Sequence, residues 1–185
     1  MNKIKFGLKN VYYAPVTAEA AGVLTYGAPK PIPGAVNFNM EPQGEVTEFE
    51  ADDITYWRGE NNNGYSGTIE FALIPDDFRK DILGETEDKN DVVVEKAGVQ
   101  SNEFALLFQF AGDDKATRHC FYRCTASRPS VASNTRGKNV EPVTETLNVA
   151  AIPRMADDIV KARCPEGNTK YAGWFSEVYE PDFTA

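Results

Sequence analysis

The chain has 185 residues, of which 42% are hydrophobic and 25% charged, with 28 acidic against 19 basic side chains and a formal net charge of -9. That length supports one domain whose core needs no cross-links, and that composition argues against disorder throughout. The acidic balance argues against a protein that grips nucleic acid, since such grip comes from lysine and arginine neutralising phosphates.

The cysteines are Cys120, Cys124 and Cys164. On one strand, Cys120 and Cys124 would stand roughly 13 Å apart, about twice the reach of a disulfide. An odd count without repeated spacing fits neither a disulfide framework nor a zinc site, so reduced, buried thiols are expected. The opening MNKIKFGLKNVYYAP has no long apolar core, and no segment nears the roughly 18 apolar residues of a membrane span. Synthesis and assembly in the cytoplasm are expected, away from any membrane.

In chain order, residues 3–8 and 11–14 predict an opening strand or arm, and 23–26 a short strand. Pro29, Pro31 and Pro33 punctuate a turn. Over 35–40, Val36, Phe38 and Met40 share one face and Asn37 and Asn39 the other, the period of a half-buried strand. Residues 41–53 are acidic, with Glu45, Glu48, Glu50 and Asp52 too close together for a packed core; they predict a solvated extended loop or hairpin. Strand character resumes at 54–58 with Tyr56 and Trp57. Asn61-Asn62-Asn63-Gly64 is a turn signal, because Asn and Gly tolerate positive φ. In the strand that follows, Ile69, Phe71 and Leu73 alternate with Thr68, Glu70 and Ala72.

After Pro75, Asp76 is the expected N-cap of a helix of about two turns, with Phe78 and Ile82 on one face and Gly84 as its stop. A polar turn at 85–90 precedes a short strand at 92–94. Phe104, Leu106, Phe108 and Phe110 form a second period-2 stripe. Residues 112–115 predict a hairpin turn, 116–126 the returning strand, and 127–139 a basic loop with Arg128, Arg136 and Lys138. On a strand over 143–152, Thr144, Thr146, Asn148 and Ala150 share a face. Tyr171, Trp174, Phe175, Val178 and Tyr179 fit an amphipathic helix ending before Pro181. Seven to nine strands with one or two short helices predict a mainly β protein, a β-sandwich or barrel.

Catalytic chemistry finds little support. His119 is the lone histidine, and no metalloprotease, phosphate-loop, nucleophile-elbow, calcium-loop or dinucleotide motif is present. The pairs Asp52-Asp53, Asp76-Asp77, Asp113-Asp114 and Asp157-Asp158 point to opposite faces if on strands, and two of them suit a cap and a turn. No cofactor or metal site is expected. Tyr12, Tyr13, Tyr56, Trp57 and Trp174 are candidate subunit contacts. Binding or assembly thus outranks catalysis.

Several runs resemble the major tail proteins of long, non-contractile-tailed phages of Gram-positive hosts. They are IPGAVNFNMEP (32–42), ADDITYW (51–57), NNGYSGTIEFALIPDDFRKDILGE (62–85), EFALLFQFAGDDKATRHCFYRCTASRPSVAS (103–133) and EPVTETLNV (141–149). The resemblance implies a structural virion protein with a single tail-tube domain over 1–185: an N-terminal arm or strand region (1–31), an inter-ring loop (41–53) and a C-terminal arm (155–185). It implies rings of six that share a β-barrel and stack around a tape-measure protein. Tail terminator and distal tail proteins would be further partners, and DNA would pass only in transit.

On that footing Thr144, Thr146, Asn148, Asn37, Asn39, Thr68 and Glu70 are expected to face the lumen. Glu45, Glu48, Glu50 and Asp52 are expected to meet Arg128, Arg136 and Lys138 between rings. The Trp174 segment would pack on its own sheet or grip a neighbour. The rival readings are a soluble β-sandwich module binding a ligand such as a carbohydrate, which would stay monomeric, and a hydrolase with two converging carboxylates.

Overall fold

Apolar residues recurring at every second position can be gathered on one side only by an extended chain. A computed structural model describes residue 4, residues 6–135 and residues 142–183. They form β1 (Leu8–Ala20), β2 (Val23–Tyr26), β3 (Lys30–Pro31), β4 (Ala35–Gln43), β5 (Val46–Ala51), β6 (Ile54–Glu60) and β7 (Gly64–Phe71). There follow α1 (Asp76–Asp81), β8 (Thr86–Glu87), β9 (Val93–Val94), β10 (Phe104–Phe110), β11 (Arg118–Ala126), β12 (Glu145–Ile152) and β13 (Lys161–Cys164).

The main sheet is antiparallel in the order β2-β1-β10-β11-β12-β7-β4, with β3 beside β1 and β13 beside β11. β11 is shared: residues 118–121 pair with β13 and residues 123–126 with β12. The sheet rolls over on itself. Phe38 of β4 and Phe108 of β10 have three strands between them, yet their ring centroids stand 4.3 Å apart. Ile69, Phe71, Phe104, Leu106, Leu147 and Val149 fill the roll. At one end α1 plugs it, Phe78 meeting Tyr13 edge-on at 5.0 Å and Phe104 at 5.5 Å.

The Tyr13 hydroxyl donates to Asp81 at 2.8 Å. Burial, then that carboxylate, hold the phenol well above its usual pKa, so it remains a donor. Arg123 is buried between Glu103, at 2.9 Å, and the more distant Glu19, at 3.5 Å. This ties the far end of β1 to the sheet.

β10 is apolar on both sides. Its second face, with Ala105 and Leu107, joins Ala14, Cys120, Tyr122 and Cys164 under a strap made by the chain after β13, whose Trp174 is 2% exposed. All three cysteines are free and buried, as expected.

Five local expectations are corrected. The 171–179 segment is not a helix: residues 169–176 form successive turns, closed by bonds such as Trp174 N–H to Tyr171 O and Ser176 N–H to Gly173 O. Gly173 costs a helix about 1 kcal/mol, and turns let Tyr171, Trp174 and Phe175 lie along the sheet. Asp76 does not cap α1; Pro75 holds that position without a side-chain bond, so the acidic first turn acts through the dipole alone. β7 ends at Phe71 and the chain bends, so Leu73 is exposed and Ile74 takes the core position. A register shift between Ala35 and Asn37 turns Val36 outward. Finally, Asn61-Asn62-Asn63-Gly64 does not reverse the chain.

Phe78→Ala would empty the plug of the roll. It is expected to cost about 3–5 kcal/mol, measured as a lowered urea midpoint with an unchanged slope.

Candidate assembly surfaces

The outward face of β4, β7 and β12 is polar because alternation sends their apolar residues inward. Strand register aligns what remains into rows: Asn37, Glu70 and Thr146 in one, Asn39, Thr68 and Asn148 in the next, Glu41, Ser66 and Ala150 in a third. Thr144, just ahead of β12, bonds the Glu70 carboxylate through its hydroxyl. All seven residues singled out on these segments are thus brought onto one surface. None of the three strands contains a lysine or an arginine. β4 has a ladder partner on one edge only, among the described residues.

β5 and β6 continue the β4–β7 pair outward as a projecting hairpin. Asn61 N–H to Glu45 O at 3.1 Å and Asn63 N–H to Gln43 O at 2.8 Å carry the ladder across the join. The chain reverses at Asp52-Asp53, both with positive φ (54° and 59°), the conformation that two-residue hairpin turns require and Asp tolerates. The acidic 41–53 segment is therefore one side of a β-arm. Register puts Thr47 opposite Gly59 and Phe49 opposite Trp57 on one face, with Glu48 opposite Arg58 and Val46 opposite Glu60 on the other. Phe49 (59%), Ile54 (62%), Tyr56 (71%) and Trp57 (55%) stay exposed. Trp57 folds across Gly59, where a Cβ would come within 2.3 Å of its ring.

Other expected contacts fall elsewhere. Tyr13 (0% exposed) and Trp174 (2%) lie inside the subunit, leaving no surface to offer a neighbour. Tyr12 is half-buried, its ring stacked on Phe175 at 4.9 Å. Arg128 pairs with Glu95 of its own chain at 3.0 Å and donates to Val99 O. Arg136 and Lys138 lie outside the described residues. His119 stacks on Phe108 within the sheet, 5.1 Å between centroids. Among the described residues no group of three or more His, Cys, Asp or Glu could hold a metal ion. No described helix is long and apolar enough to cross a membrane.

Sequence reasoning missed the clasp of the strap. Arg154 is buried against the Tyr122 ring, bonds Asp157 and reaches Glu180 at 2.6 Å. Only the spacing Arg154-x-x-Asp157 hinted at it.

Residues 1–167 match the family model described as phage tail tube protein. No curated protein matches the chain.

The clasp titrates. Hydrogen bonding from Arg154 holds the Asp157 carboxyl below its ordinary 3.8. A carboxylate with a depressed folded-state pKa stabilises fully above the unfolded value and loses that contribution as pH falls through the folded one. Asp157→Asn is expected to be less stable than wild type at pH 5, the gap closing as pH falls below the carboxyl's ordinary 3.8 and through its lower folded-state value. Denaturant midpoints followed by Trp174 emission measure it.

Proposed function

The chain belongs to the phage tail tube protein family, a structural component of the virion tail with no enzymatic role, and from that premise we propose that six copies close into a ring, that rings stack into a tube, and that the β4–β7–β12 face lines the channel through which DNA leaves. Support comes first from the family and then from one observation: three adjacent strands present aligned Asn, Thr, Ser and Glu side chains without a basic residue. A channel for DNA must not bind it, and lysine or arginine there would capture phosphates and slow passage.

The one-sided edge of β4 supports ring closure. An unpaired edge is a template for another strand, and a closed barrel of many chains removes it. Stacking is a heterologous contact that does not close, which makes a filament. The arm supplies that contact, reaching the adjacent ring past the outline of its own subunit. Within the tail, the tube surrounds a tape-measure protein and ends on terminator and distal proteins.

Thr146→Lys would put a ring of ammonium groups in the channel. Tubes are expected to form normally, seen by negative-stain microscopy, while genome ejection slows in a release assay; ejection at the wild-type rate would remove these strands from the lumen. Glu48→Ala with Glu50→Ala is expected to make assembly less sensitive to salt, read by light scattering from low ionic strength upward. Equal salt dependence would show that these carboxylates form no part of the contact.

A further inference from the structure

Two surfaces of this chain stand open to solvent, and they complement each other. One is the apolar side of the arm, where Phe49 pairs across the strands with Trp57. The other is a cavity of about 300 Å³ open at the side of the roll, lined chiefly by Phe38, Met40, Tyr65, Phe108, Phe110 and Lys161. The cavity exists because β11 changes partner midway. β12 takes residues 123–126 and β13 takes residues 118–121, so the wall gapes where one partner gives way to the other. Its volume is at the small end for a ligand site and holds one large aromatic side chain.

We propose that the cavity receives Trp57 from the arm of a second copy, with Phe49 and Ile54 covering its rim. Charge fixes the choice of a second copy. Residues 41–60 hold seven carboxylates and a single arginine, whereas the cavity edge is formed by β13, whose exposed Lys161 and Arg163 make no ion pair among the described residues. Aromatic rings of the arm thus face aromatic rings of the cavity at the centre, and opposite charges meet at the periphery, the layout of an interface whose aromatic anchors are ringed by polar contacts. Arg128, expected from sequence to receive the arm, is occupied by Glu95. Each copy carries one arm and one cavity, so the contact is heterologous and propagates. The proposal rests on the stacked-tube reading and names its acceptor.

The test uses full-length protein. Chains bearing Trp57→Cys and chains bearing Met40→Cys, differently tagged and both with Cys120→Ala because Cys120 lines the same cavity, are mixed under mild oxidation; Cys124 and Cys164 are buried. A disulfide between the two tags is expected. Trp57→Ala is expected to raise the concentration needed for assembly by at least about tenfold while leaving the monomer's melting curve intact. Lys161→Glu with Arg163→Glu is expected to block assembly. Tubes grown from the two cysteine-bearing chains that yield no 57–40 cross-link, or Trp57→Ala protein that assembles as readily as wild type, would overturn the docking and leave the arm for a different protein. A 57–40 cross-link between the cysteine-bearing chains, with wild-type protein that never forms tubes, would sink the stacked-ring reading while sustaining the docking.

Discussion

A long sheet with one apolar side must bury that side, and here it curls until the ring of Phe38 lies on that of Phe108. Much of the molecule's layout follows from that closure. Most large apolar residues of β4, β7 and β12 are committed inward, so their polar partners are committed outward. The roll brings β4 back over β10 without hydrogen-bonding it there, so β4 ends as an edge. Burial inside the subunit and openness at its border thus have the same cause.

The second layer is organised differently. β10 has apolar residues on both faces, and only the inner one can be served by the roll. The strap covers the other, laying Trp174 over the sheet and fastening itself through Arg154. Arg154 is the buried member while Asp157 and Glu180 keep contact with water, so removing the carboxylates strands the guanidinium in a poor solvent, which costs more than the pair contributes. The clasp therefore specifies one seat for the strap more than it stabilises the fold.

Strands and their faces were legible in the sequence wherever alternation was clean. Asn37, Asn39, Thr68, Glu70, Thr146 and Asn148 were assigned to exposed faces by parity, although only register reveals that three strands set them side by side. Illegible features were those that local pattern does not encode. Asp52-Asp53 reverses the chain while the richer turn signal at Asn61–Gly64 merely interrupts a strand, because pairing on both sides of the interruption outweighs local preference. The aromatic stripe at 171–179 satisfied helical spacing, yet the demand it expressed was burial, which turns meet as well. Ala105 and Leu107 signalled a sheet covered on both sides, a sign overlooked beside the stronger stripe of Phe104, Leu106 and Phe108. β13, only four residues long, fell below any periodicity.

The continuous β4–β7 ladder has a mechanical consequence. Its strands run from the polar face directly into β5 and β6, so a pull on the Asp52-Asp53 tip moves both together and loads the β7–β12 hydrogen bonds in shear instead of peeling them one at a time. The mismatch at the join, where three residues (Asn61, Asn62 and Asn63) stand against two (Gly44 and Glu45), is where that rod can bend. A filament built from such parts would flex at these joints while its wall stays stiff, and curvature would be spent there before it deformed the bore.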